Sequence, residues 1–212
     1  MFHACINLLI VSGVVATYSN SQPTAQEITE HMHRQLDSVI TLSADFIIVS
    51  HFGVLEQSGE STGRLFLQRA KNKFRLEQED QTVVSDGETV WTFIPSNKQI
   101  IVSPMEDSGG MRPDDFLFYY SRQYNSELLK TENTNGGLFY VLELTAADLS
   151  AQLDKVTIWV DSKKWLTQKV QYTDDMDSST TIEFTDIQLN LSLVDSTFVM
   201  DIPSDVEVVD LR

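Results

Sequence analysis

One arginine stands where an apolar strand face ends. In residues 63–69, Gly63, Leu65, Leu67 and Arg69 share one parity, while Arg64, Phe66 and Gln68 share the other. Strand side chains alternate between faces, so Arg69 closes the face that carries Leu65 and Leu67. A guanidinium on an apolar face costs free energy unless carbonyls or carboxylates accept its protons. Two readings follow from the residues alone. Arg69 is an edge arginine paired with one of the many acids, or it binds the carbonyls of a helix end, which have no partner within the helix.

Covalent and acid–base chemistry have little to work with. The chain holds no G-x-S-x-G elbow, no Walker loop and no H-E-x-x-H. His31 and His33 stand two apart on a predicted helix, so they do not share a face. With His51 they read as surface histidines. The one cysteine, Cys5, lies in the first apolar run, which leaves a zinc site without thiolates. Carboxylates are numerous but scattered, and no pair sits in a recognisable acid/base setting. The expectation is a protein that is not an enzyme and takes no metal or cofactor. The sequon at Asn190 is too common a pattern to carry weight.

The 212 residues carry a formal net charge of −16. Such a surface repels nucleic acid and anionic lipid headgroups at long range. Residues 6–16 form an apolar run too short to span a membrane, followed by small and polar residues. It reads as a secretory signal, ending at Ala16, Ser19 or Ser21. The expected organisation is a cleaved segment over residues 1–21 and a single domain, 22–212, without cysteine.

The elements that must position Arg69 are legible by period. Residues 24–40 predict the one long helix: Thr24 and Glu27 have capping-box spacing, and Ile28, Met32, Leu36 and Val39 form one stripe. Residues 42–52 predict a strand with Ala44, Phe46 and Ile48 on one face, and 53–61 a polar turn. Phe74 and Leu76 share a face of the next run. Asp86-Gly87 then marks a hairpin of type I′, with positive φ at both central residues. Strands are expected at 99–103, 127–131, 138–145, 155–161, 166–173 and 180–191, with turns at 135–137 and 174–179. Between them, Pro113 opens a short aromatic helix whose body is Phe116, Leu117, Phe118, Tyr119 and Tyr120. So short and apolar a helix must cover something apolar. Many strands at short spacing favour an antiparallel barrel or sandwich.

In this order, the capped helix, G-x-L-x-L-x-R ending at Arg69, the inward Phe74, the S-D-G-x-x-x-W hairpin ending at Trp91 and the proline-led aromatic helix resemble the LolA family of periplasmic outer-membrane lipoprotein carriers. The resemblance runs from about Thr24 onward and is densest over residues 63–95. Ala70 stands where the family commonly has proline. The resemblance implies a mainly β fold: an unclosed antiparallel β-barrel, or curved sheet, with an N-terminal helix and a short lid helix over an apolar concave cavity. It implies that Leu65, Leu67, Arg69, Phe74, Phe116, Leu117 and Tyr120 form cavity and lid, with Arg69 fastening the lid through backbone carbonyls. Trp91 is read as core. The implied role is a monomeric periplasmic carrier of acylated lipoproteins. It would receive them from an inner-membrane lipoprotein-releasing ABC transporter and pass them to an outer-membrane lipoprotein acceptor. The same fold also serves three other readings: an envelope sensor or regulator, a carrier of other lipids, and a module for protein contacts.

Overall fold

The computed structural model describes residues 22–53, 57–105, 124–147, 153–174 and 177–212. The expected signal segment and the aromatic run 116–120, with Phe116, Leu117 and Tyr120, lie outside the described residues. Helix α1 (Ala25–Asp37) leads into twelve strands: β1 (Thr41–Phe52), β2 (Gln57–Gln68), β3 (Lys73–Gln78), β4 (Thr82–Ser85), β5 (Thr89–Ile94), β6 (Gln99–Pro104), β7 (Tyr124–Thr134), β8 (Gly137–Ala146), β9 (Lys155–Asp161), β10 (Thr167–Thr173), β11 (Ser179–Leu189) and β12 (Glu207–Asp210). They form one unclosed, curved sheet in the order β12-β6-β5-β4-β3-β2-β1-β11-β10-β9-β8-β7.

The helix starts where its chemistry dictates. Thr24 Oγ1 accepts from the Glu27 N–H at 3.2 Å, and the Thr24 N–H donates to Glu27 Oε2 at 2.7 Å. Both halves of the capping box are therefore made. A helix of 13 residues is marginal in water by itself, so packing must hold it. Ile28, Met32 and Leu36, with Val39 just beyond, are buried against the concave face of the sheet. That face is built by parity: Leu42, Ala44 and Phe46 of β1 stand opposite Leu67, Leu65 and Gly63 of β2, and Leu67 stands opposite Phe74 of β3.

Three expectations are corrected. The polar turn is shorter than 53–61, because β2 begins at Gln57 and pairs with Phe52. Polar side chains on both faces hid the strand, but its backbone completes the ladder beside β1. The hairpin at Asp86 forms without two positive φ values. Only Gly87 is positive, at 103°, and Asp86 Oδ1 instead accepts from the N–H groups of Glu88 and Thr89 at 2.9 Å each. The sheet is antiparallel except at one end, where β12 pairs with β6 in parallel. The connection from β11 runs past β3, and Phe198 is buried on the way. Arg75 donates to Val199 O at 3.4 Å. Chain that arrives this way enters beside β6 in the same direction.

Two measurements test this construction. The Phe46 ring lies over Gly63, and any Cβ there meets that ring and Glu77 O. Gly63→Ala should therefore cost about 1–3 kcal/mol in urea unfolding, as overpacking does. The bonds from Thr24 hold Glu27 below its ordinary value of 4.5. A lowered folded-state value means a stabilising contribution present above the unfolded value and lost as pH falls through the folded one. Wild type should be more stable than Glu27→Gln at neutral pH, and the difference should shrink as pH falls through 4.5 and vanish below Glu27's lowered folded-state value.

Candidate functional site

The concave face of the sheet with α1 laid over it is the candidate site. Leu65, Leu67 and Phe74 are buried at 4% exposure or less, and all three belong to one cluster with Ile28, Met32 and Leu36 of α1. Further round the curve, Leu142, Leu144, Ile158 and Val170 complete the apolar surface. Burying one such side chain contributes about 1.5–3 kcal/mol. The helix stripe and the sheet face therefore bury one another.

Arg69 holds one end of this cover. It opens a short 3-10 turn after β2, at the corner that leads into β3. Its guanidinium Nη1 donates to Leu36 O, and to Val39 O at 3.4 Å. Its backbone N–H donates to Ile40 O at 3.0 Å. The sequence left carboxylates or carbonyls open as partners. These acceptors are carbonyls at the C-terminal end of α1 and just beyond it, where the helix dipole favours a cation. A hydrogen bond from a charged donor contributes about 1.5–3 kcal/mol.

An aromatic stack lies along the same helix. The His31 ring lies on Trp165, with centroids 4.1 Å apart and planes 15° from parallel. Trp165 in turn stacks on Tyr140 of β8 at 5.7 Å. Trp165 stands between β9 and β10 in the left-handed region, with φ 55°, a costly conformation for a bulky residue. The reading of His31 as a free surface residue is thus corrected: it packs α1 against the turn between β9 and β10. Nothing in the sequence marked Trp165, because its role depends on a backbone angle that no local motif encodes. Gln22 Nε2 also donates to Thr131 Oγ1 of β7.

Trp91 lies on the other face of the sheet from Phe74, half-buried beside Val84 and Val102. Val84, Ile100 and Val102 are also buried on that convex face, and over the other strands it carries ion pairs. Arg64 forms a two-point pair with Asp45, at 2.5 and 3.0 Å. Lys169 reaches Glu183 at 3.2 Å and lies 4.9 Å over the Trp159 ring. A depression of about 250 Å³ there is lined by Glu132, Phe139, Trp159 and Lys169, among others. Hydrogen bonds from Lys130 and Trp159 hold Glu132 below the usual carboxylate range, which favours a spectator anion over a proton donor.

Comparison with known proteins follows the same lines. The profile of the family described as "Outer membrane lipoprotein carrier protein LolA" matches residues 37–201. An outer-membrane lipoprotein carrier protein of Methylobacillus flagellatus is 29% identical over 71% of this chain and 73% of its own length. That of Chromohalobacter salexigens is 28% identical over 88% of this chain and 90% of its own length. An uncharacterised protein of Methanocaldococcus jannaschii is 26% identical over 91% of this chain, which spans 56% of that protein's length. Among solved structures, a conserved protein of Thermus thermophilus superposes with a TM-score of 0.60 at 14% identity, over 88% of this chain and 98% of its own. At that identity the likeness speaks for the fold.

The His31–Trp165 contact is measurable in isolation. A double-mutant cycle of His31→Ala and Trp165→Ala in urea unfolding should return a coupling of about 0.5–1.5 kcal/mol. Strict additivity would remove the stack from the forces holding α1.

Proposed function

We propose, since the chain belongs to the LolA family of outer membrane lipoprotein carrier proteins, that it holds the acyl chains of a lipoprotein on its concave face and passes the lipoprotein on. The observation that carries this reading is a helix laid over an apolar face. An apolar face of Leu65, Leu67 and Phe74 is closed by a helix whose end carbonyls are held by Arg69. Acyl chains gain about 0.8 kcal/mol per buried methylene. Escape of a multiply acylated protein into water would cost on the order of tens of kcal/mol, so a carrier must hide the chains throughout. Entering chains would take the place of the α1 stripe on the sheet, and the helix end would leave Arg69. The aromatic run with Phe116, Leu117 and Tyr120 is assigned to cargo contact by its sequence alone. The role is carriage, not catalysis, with no cofactor.

On this reading residues 1–21 direct export to the periplasm and residues 22–212 work there as one monomeric domain. The donor is an inner-membrane lipoprotein-releasing ABC transporter, and the receiver is an outer-membrane lipoprotein acceptor. The chain contributes no nucleotide motif to this exchange.

Release is the test. Chain 22–212 is incubated with inner-membrane vesicles and the soluble fraction is examined by native mass spectrometry. The expected species is one chain with one acylated lipoprotein. Bound lipid without protein would replace lipoprotein by lipid as the cargo, and an empty chain from active vesicles would refute carriage. Arg69→Leu should lower hand-over to acceptor membranes several-fold while the chain stays folded. Normal transfer by that variant would remove Arg69 from the cover.

A further inference from the structure

The chain leaving β11 reaches the same helix end that Arg69 holds. Asn190 lies in the left-handed region with φ 57°. Its Oδ1 accepts from the Ile40 N–H at 2.8 Å, and its Nδ2 donates to Ser38 O at 3.1 Å. Its own N–H donates to Thr41 O at 2.8 Å, while Thr41 Oγ1 donates to Leu191 O at 2.7 Å. Arg69 serves Leu36, Val39 and Ile40 in the same stretch. Apart from that of Leu191, every carbonyl named here lies between the last turn of α1 and the start of β1. Of the two apolar residues of this link, Val39 is buried but Ile40 is 63% exposed, so burial holds the link at one residue only.

We propose that Asn190 is a second positioning residue for α1, acting with Arg69 to fix the helix over the concave face. The inference rests on reading α1 as the cover of the site. The residue type fits the task. An amide accepts and donates at once, which the Ile40 N–H and the Ser38 carbonyl together require. Asparagine also tolerates the left-handed backbone that aims it there. A carboxylate keeps the acceptor and loses the donor, whereas glycine keeps the backbone and loses both bonds. The amide is engaged on both its atoms, so the sequon at Asn190 has a structural use. The closure also has two holders: Arg69 at the β2–β3 corner and Asn190 at the exit of β11.

Hydrogen exchange read by mass spectrometry, on chain 22–212 without cargo, tests this. Asn190→Gly should speed exchange of the α1 amides about tenfold, as loss of such bonds does. Strands β8 and β9 should exchange as in wild type. Asn190→Asp should fall between the two. In an Arg69→Leu background the effect of Asn190→Gly should shrink, because both residues hold one helix end. Unchanged α1 exchange, or a rise shared equally by β8 and β9, would overturn the proposal, as would an undiminished effect beside Arg69→Leu. No cargo enters the measurement. A chain that loosens α1 on Asn190→Gly and yet captures no lipoprotein would keep Asn190 in place and sink the carrier reading alone.

Discussion

The end of α1 is tied by hydrogen bonds to the sheet the helix covers, and the rest of the arrangement depends on that. Burial of Ile28, Met32 and Leu36 supplies most of the attraction, but apolar contact is non-directional. Hydrogen bonds fix the helix along its axis. Among the described residues, Arg69, just after β2, and Asn190, just after β11, supply such bonds. These strands flank β1, the strand that α1 runs into, at the middle of the twelve. The ladders of β1 with β2 and with β11 therefore bring both donors to one place. A slip of either ladder by one residue would turn inward-facing side chains outward and carry the donor away with them.

The two faces of the sheet differ most over the strands that carry the ion pairs. The concave face is aliphatic and aromatic, and α1 keeps water from it. The convex face carries pairs such as Arg64 with Asp45 and Lys169 with Glu183, alongside a net charge of −16. Exposed pairs of this kind contribute about 0–1 kcal/mol each, so they do not explain the fold. Their effect is on what approaches. An acidic exterior repels phosphate headgroups, while an apolar interior accepts hydrocarbon. Cargo that enters by its chains and leaves its polar part outside meets both conditions.

Much of this was legible in the sequence, and the parts that were not share a cause. Parity placed Leu65 with Leu67 and Phe74 with Leu76, and helical spacing placed Ile28, Met32 and Leu36 on one stripe, because these faces are buried and periodicity reports burial. The Thr24–Glu27 box was readable because it is local. The first residues of β2 were missed because neither of their faces is apolar, so no period marks them. The parallel pairing of β12 depends on a long connection, not on its own residues. Trp165 and Asn190 were missed for a further reason: each acts through a positive φ set by tertiary structure. The family resemblance directed Arg69 to a lid around residues 116–120. The carbonyls it reaches among the described residues are at the end of α1, some thirty residues before it in the chain.

The chemical type of those carbonyl partners sets how firmly α1 is held. Among the described residues, Arg64 takes a carboxylate in a two-point pair, whereas Arg69 reaches neutral carbonyls of the helix end. Separating a buried guanidinium from a carboxylate leaves an uncompensated charge and costs about 3–5 kcal/mol or more. A carbonyl released from Arg69 loses about 1.5–3 kcal/mol and can turn to water. Two such bonds amount to roughly 3–6 kcal/mol, the burial of about four to eight methylenes at 0.8 kcal/mol each. One acyl chain of ordinary length exceeds that. On the carrier reading the Arg69 bonds are thus weak enough for a chain that takes the place of the α1 stripe to break, and able to re-form when that chain departs.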